Sequence, residues 1–405
     1  MEGAECPKCG EEEQTLLACL VIIEDEDNKE SPVRYRAPIA YEQQLNWSLR
    51  TAGWGDNKCL VNLRFTARAE IAELITHLCL KEWIDSCNPQ HRYSKSPEQA
   101  LCMLLYRLAT PIRLVDMMPV FGASRSYIST VVNDLVRYQY ELWSSKIFWD
   151  HERLSYMQLQ AYTHAIDETV DMGNSLQIWG FIDGTVRPIA RPLEEQQRYY
   201  SGHKGYHGIK FQSIVTPDGL ISSLYGPEMG PKGDWKLWQD SGLEEILRRI
   251  FRASSHPLRQ PSTDSSTSNE LLREERKILY LYGDPAYAPS FGILGPYRAS
   301  GRRSLTAQEQ ATNVKMSSYR IVVEWGFANI LNQFTSMEWK RNQKIGLSPI
   351  AVNYAVSVLL YNCQTCLRGR NQISDRFGNR IPPPSLETYL ACKIASLLNS
   401  SFILY

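Results

Sequence analysis

The chain has 405 residues, 43% hydrophobic and 22% charged, the balance of a soluble globular protein with one large domain and one or two smaller ones. The longest unbroken apolar run, Leu16 to Ile23, is far too short for a bilayer span, and an acidic start argues against a secretory signal. No membrane partner is therefore expected, and the chain is expected to stay inside the cell. The 44 basic and 44 acidic residues cancel only as an average: residues 1–30 hold ten acids against Lys8 and Lys29, which leaves the other 375 a net of +8. An acidic tail on a mildly basic body is compatible with a polyanionic partner and equally with solvated disorder of the tail.

The ten cysteines include two Cys-x-x-Cys pairs, Cys6/Cys9 and Cys363/Cys366. A disulfide framework is not expected in a long chain without an export signal. CPKCG is the knuckle of a zinc ribbon, but a tetrahedral site needs four ligands and no second pair lies nearby. Cys363 and Cys366 sit in an apolar helical stretch and are read as buried free thiols.

Residues 1–95 show no clean period and predict no particular fold. From Ser96 the pattern sharpens into a domain over 96–145. Ser96-Pro97-Glu98 reads as N-cap, first-turn proline and first-turn acid, and Leu101, Leu104, Leu105 and Leu108 follow at helical spacing. A short helix with Leu114, Met117 and Met118 closes at Phe121-Gly122. Ser124 then caps a third helix with Ile128, Val131, Val132 and Leu135 on its apolar side and Arg125, Ser126, Ser129 and Asn133 on the other. This is a helix-turn-helix pattern, in which the start of the last helix reaches DNA phosphates and base edges. The same pattern also suits a small helical unit with no DNA role.

A helical connector over 146–175 ends near Asp171, and the texture then changes to strands. Leu176 to Ile182 reads as a buried strand ending in Asp183-Gly184-Thr185. Tyr206 to Val215 is a second strand, Thr216-Pro217-Asp218-Gly219 a tight turn, and Leu220 to Tyr225 a third strand, together an antiparallel meander. A helix follows over Leu237 to Phe251, then a flexible Ser/Thr/Pro-rich insertion over 254–269. Ile278 to Tyr282 is a fourth strand, running into Gly283-Asp284-Pro285. Helices over Val314 to Phe334 and Pro349 to Cys366 complete a unit spanning 176–370, and 371–405 remain as a C-terminal tail or helix. Three strands, a helix, a strand and a helix is the order of a ribonuclease-H-like core, an α/β fold with a mixed sheet flanked by helices.

Asp183 ends the first predicted strand, Asp284 ends the fourth, and Glu324 lies on the following helix. Sites in open α/β sheets collect at strand ends. Converging carboxylates repel one another unless a cation neutralises them, and hard oxygen ligands suit two Mg²⁺ or Mn²⁺ ions about 4 Å apart, the arrangement that drives phosphoryl transfer. Each acid also has a structural reading: Asp183-Gly184 and Asp284-Pro285 as turns, Glu324 as the partner of Arg320 one helical turn earlier.

GFIDGTVRPIARP, YYSGHKGYHGIKFQSIVTPDGLISSLYGP, LYGDPAYAP and NVKMSSYRIVVEWGF, followed by KIGLSP and LLYNCQTCLRG, resemble the nuclease domain of PIF/Harbinger-type DDE transposases over about residues 176–370. The resemblance implies a ribonuclease-H-like fold and a DNA-cutting, strand-transferring enzyme dependent on two divalent ions. By motif, Asp183 of IDGT, Asp284 of GDPAY and Glu324 of VVEWGF match the three catalytic, metal-holding acids, with Asp234 as an auxiliary acid. It also implies double-stranded DNA as partner (transposon ends and target), a homo-oligomer, an element-encoded accessory protein, and a place in the nucleus. Two departures stand out: relatives tend to carry His-Asp where this chain has Gly233-Asp234, and the 101 positions from Asp183 to Asp284 are long for the family, a gap the 254–269 insertion accounts for.

Around the acids, His203, Lys204, His207 and Lys210, then Arg298, Arg302, Arg303, Lys315 and Arg320, are placed to hold DNA phosphates; of these Lys204, Lys210, Arg302, Arg303, Lys315 and Arg320 are the expected contacts. A solvated basic surface is the other reading, and for Arg320 a role in orienting Glu324. The reading as a whole is a cut-and-paste DNA transposase, with a domesticated, catalytically inactive DNA-binding protein as the alternative.

Overall fold

The computed structural model describes residues 47–66, 68–86, 96–171, 175–252, 276–300 and 303–391. The acidic tail, Cys6/Cys9, the 254–269 insertion, Arg302 and the last residues of the C-terminal tail lie outside them. At its centre is a mixed six-stranded sheet of order β2-β3-β1-β5-β6, with β4 also paired to β3. The strands are β1 (Ile178–Pro188), β2 (Tyr200–Ser201), β3 (Tyr206–Val215), β4 (Ile221–Met229), β5 (Tyr280–Tyr282) and β6 (Ile293–Leu294). β1, β3 and β4 form the expected antiparallel meander, while β5 joins β1 in parallel and β6 joins β5 in parallel.

The near-continuous apolar start of β1 has a direct cause: both faces of the sheet are covered. On one face Phe181, Phe211 and Val215 join a hydrophobic cluster with Val322, Val323 and Tyr354; on the other, Trp179, Ile182, Ile214 and Leu281 pack with Trp238 and Leu247. Helices α1 (Asp56–Leu63), α2 (Arg68–His77), α3 (Leu80–Ser86), α4 (Pro97–Ala109), α5 (Leu114–Phe121), α6 (Arg125–Phe148) and α7 (Tyr156–Val170) precede the sheet. The predicted caps are present: the Ser96 side chain accepts from Gln99 N–H, that of Ser124 accepts from Tyr127 N–H, and Gly122 closes α5 at φ 57°.

After β1 come α8 (Gln196–Tyr199), α9 (Asp234–Asp240), α10 (Leu243–Arg252), α11 (Ala307–Gln333), α12 (Ile350–Arg368), α13 (Gln372–Arg376) and α14 (Leu386–Tyr389). α12 is long and apolar enough to cross a membrane by length and composition, yet 89% of that window is buried inside the protein. It carries Cys363 and Cys366, both buried free thiols as expected, with burial pushing Cys366 up to about 12 and Cys363 well above its ordinary value.

Several expectations need correction. β1 does not stop before Asp183; it runs on to Pro188 because β3 pairs with it as far as Gly208. The helix expected over 237–251 is two helices, α9 and α10, separated at Gly242 with φ 69°. α11 begins at Ala307 rather than Val314, set by a capping box in which Thr306 and Glu309 bond each other's backbone N–H. β2, β6 and the helices over 56–86 carry no clear signal in the sequence. The helices over 97–148 pack against the rest of the chain as well as against one another. Val131, Val132, Leu135, Val136 and Trp143 of α6 belong to the same hydrophobic cluster as Ala355, Val358 and Leu359 of α12.

Candidate active site

Strand register explains why two acids 101 positions apart meet. Phe181 pairs with Tyr282 in the parallel β1–β5 ladder, so two residues further on Asp183 and Asp284 leave the ladder side by side. β5 ends at Tyr282 while β1 continues, so beyond that level one edge of β1 has lost its partner and a cleft opens. The cleft, about 300 Å³, lies between the end of β5, the 296–298 loop and the first half of α11; Asp284, Arg298 and Arg320 are on its walls.

Asp183 is mostly buried. Its Oδ1 accepts from Gly184 N–H at 2.8 Å, and its Oδ2 accepts from Arg320 Nη1 at 2.7 Å. The other guanidinium nitrogen donates to Glu324 Oε1 at 3.1 Å. One arginine thus ties Asp183 on the sheet to Glu324 on α11, whose side chain is 53% exposed. Burial raises the Asp183 pKa to about 6; Arg320 and the Gly184 N–H pull it down, while the charges of Asp284 and Asp234 push it up.

Asp234 reaches the site from the first turn of α9. Its Oδ1 lies 1.8 Å from where a Cβ on Gly184 would sit, so only glycine at 184 admits the carboxylate against β1. Lys210 Nζ pairs with the same oxygen at 2.9 Å and donates to the Lys232 carbonyl at 2.8 Å. Beneath the acids, Tyr287 is fully buried. Its ring packs where a Gly283 side chain would be, and its hydroxyl accepts from Gln212 Nε2 at 3.0 Å. Burial, and then the charges of Asp234, Asp183 and Asp284, hold the Tyr287 pKa well above its ordinary value, so it stays a neutral phenol. Asp284 is itself held by the turn it starts, Oδ1 accepting from Ala286 N–H at 2.8 Å.

The expected DNA contacts divide. Lys210 is only 8% exposed and its charge is paired with Asp234. Arg320 lies between two carboxylates; Lys315 Nζ donates to the carbonyl of Asp171 at 2.8 Å; and Arg303, although exposed, pairs with Glu309 at 2.6 Å. Lys204 is exposed on the turn before β3. Arg125 and Ser126 are exposed at the start of α6, while Ser129 and Asn133 are half-buried. A side chain at Gly233, the position before Asp234, would meet nothing within 4 Å. The double grip of Arg320 and the neutral Tyr287 were missed as parts of the site. The sequence did hold a signal for Lys210, a lone lysine inside an apolar strand.

The donor chemistry is of the kind a hard divalent cation takes: carboxylate oxygens, one of them lifted to about 6 chiefly by burial and further by the charges of Asp284 and Asp234. Among the described residues, however, no three His, Cys, Asp or Glu side chains are gathered closely enough to hold an ion, and between Asp183 and Glu324 the compensating charge is the Arg320 guanidinium. No curated protein and no solved structure gives a significant match to the chain. Residues 182–362, the span that carries Asp183, Asp234, Asp284 and Glu324, match the family model of the DDE superfamily endonuclease.

Proposed function

We propose that the protein is a DNA transposase of the PIF/Harbinger type, acting in the nucleus as a homo-oligomer on transposon ends and target DNA, with an element-encoded protein assisting. The observation that carries this reading is the side-by-side exit of Asp183 and Asp284 from the β1–β5 ladder inside the span that matches the endonuclease family. Asp183 and Asp284 would hold divalent ions, Mg²⁺ or Mn²⁺, with Glu324 completing the set and Asp234 as an auxiliary acid. Such ions supply Lewis acidity for attack at, and departure from, a phosphodiester phosphorus.

The chain's own residues prepare the site. Gly184 lets Asp234 approach β1, Lys210 fixes Asp234, and the neutral Tyr287 closes the floor without adding charge. Arg320 holds Asp183 and Glu324 in register with each other. The exposed Arg125 and Ser126 support the helix-turn-helix reading of α5 and α6, in which the start of α6 meets DNA.

A second reading, an inactive DNA-binding descendant of a transposase, is favoured by Arg320 standing among the acids and by the open position at Gly233. A supercoiled-plasmid nicking assay with Mg²⁺ or Mn²⁺ separates the two. Metal-dependent nicking, reduced about a thousandfold or more by Asp284→Ala, is expected of the enzyme. Equal nicking by wild type and variant would remove Asp284 from the mechanism, and DNA binding with no nicking by the wild type would favour the descendant.

A further inference from the structure

We infer that a basic ridge at the far end of β1, built from Lys204, Lys340, Arg341 and Lys344, binds the sugar-phosphate backbone of duplex DNA beside the cleft; this rests on the nuclease reading of the Asp183 site. Two segments distant in sequence make the ridge. The hairpin between β2 and β3 presents Lys204, and its ladder pairs Tyr200 with His207 and Ser201 with Tyr206. The 3₁₀ turn over Lys340–Asn342 presents Lys340 and Arg341, and Lys344 follows it two residues on.

One contact joins the segments directly and a second ties the 3₁₀ segment to the end of β1, which pairs with β3. Lys340 Nζ lies over the Tyr206 ring, 4.7 Å from its centroid, and Ala190 N–H, just past the end of β1, donates to the Gln343 carbonyl at 2.8 Å. All four cations are exposed, and among the described residues none of them forms an ion pair. Glu338 is the only acid between positions 335 and 344. Unlike Lys210, Arg303 and Arg320, whose charges are spent on carboxylates, these four are available to a polyanion. The aromatic face under Lys340 restrains an ammonium that would otherwise swing freely.

Position selects the partner. Pro188, which pairs with Gly208 at the base of the hairpin, lies five positions beyond Asp183 on β1. At about 3.3 Å per residue that is about 17 Å, or about five base-pair steps at about 3.4 Å each. A duplex running along β1 from the cleft would bring phosphates about five positions from the cut over the ridge. A repeating line of phosphates meets cations spread along such a ridge, whereas a single small anion would engage one or two.

The test is equilibrium binding of the full chain to a fluorescent 30-base-pair duplex in EDTA, between about 50 and 200 mM NaCl. Each lost phosphate contact lowers the slope of log affinity against log salt by about 0.9. The variant Lys340→Ala/Arg341→Ala/Lys344→Ala should bind at least about tenfold more weakly at 100 mM salt, with a slope reduced by about 3. A charge-matched control, Arg50→Ala/Lys58→Ala/Lys81→Ala, should leave the slope unchanged, and thermal melting checks that both variants fold. An unchanged slope in the ridge variant, an equal drop in the control, or no duplex binding by the wild type overturns the inference. Binding in EDTA needs no catalysis. A protein that shows the slope change but never nicks plasmid sinks the nuclease reading alone, and one that nicks while the slope stays put sinks the ridge alone.

Discussion

At Asp183 two opposing demands meet in one carboxyl. Burial and the neighbouring Asp284 and Asp234 favour its protonated form, Arg320 favours the charged one, and the outcome is a pKa near 6 against 3.8 for a free aspartate. Between those values the folded protein holds a proton that the unfolded chain has released. Stability therefore falls as pH rises through that window, and above it the charged carboxylate costs up to about 3 kcal/mol. Asp183→Asn should accordingly raise the melting temperature at pH 7.5 in EDTA, with the gain shrinking as pH falls from 6 toward 4; a gain that does not vary with pH would refute the raised pKa. The acids themselves were legible in the sequence, because an apolar run breaking at Asp-Gly and another breaking at Gly-Asp-Pro mark strand ends or turns. That Lys210 would be buried against Asp234, or that Arg320 would grip two carboxylates at once, was not legible, since the partners come from other elements.

Secondary-structure elements are locked together by a second charged cluster, away from the cleft. Arg153, just ahead of α7, donates to Asp218 Oδ2 at 3.0 Å, to the Tyr162 hydroxyl at 2.6 Å and to the Ser222 hydroxyl at 2.8 Å. Tyr162 donates to Asp218 at 2.5 Å, and the other carboxylate oxygen accepts from the Thr216 hydroxyl and from Leu220 N–H. Burial by itself would lower the Arg153 pKa, but Tyr162, Asp218 and Asp150 outweigh it and raise it. The cluster straps α7 to the turn between β3 and β4. Arg153→Met would leave Asp218, 2% exposed, without its cation, and should cost about 3–5 kcal/mol in urea unfolding. A loss under about 1 kcal/mol would show the strap to be dispensable. Helix starts were readable because Ser96 and Ser124 cap through their own side chains. The overrun of β1 to Pro188 and the break at Gly242 were not, because the first depends on β3 as a partner and the second on how α9 and α10 pack.

Over the whole molecule, one hydrophobic cluster runs from Trp47 through α4, α6 and α12 to Leu390. Sixteen of the nineteen residues of α12 are buried, and the face turned toward α6 has no substitute cover within residues 176–370. A fragment of 176–370 should therefore fail to unfold cooperatively and should expose apolar surface to a hydrophobic dye, whereas 47–391 should melt as one unit; cooperative melting of the short fragment would show that the helices over 97–148 are an appendage. Local rules written along the chain were enough to determine the α/β class, the meander, the capped helices and the acids worth watching, because period, caps and turn residues act between near neighbours. Tertiary structure alone decided that Asp183 and Asp284 leave the β1–β5 ladder at the same level, that Lys210 is spent and Lys340 is free, and that the amino-terminal helices share the sheet's core. Those outcomes depend on strand register and on which surfaces bury each other, and both are properties of residues far apart in the chain.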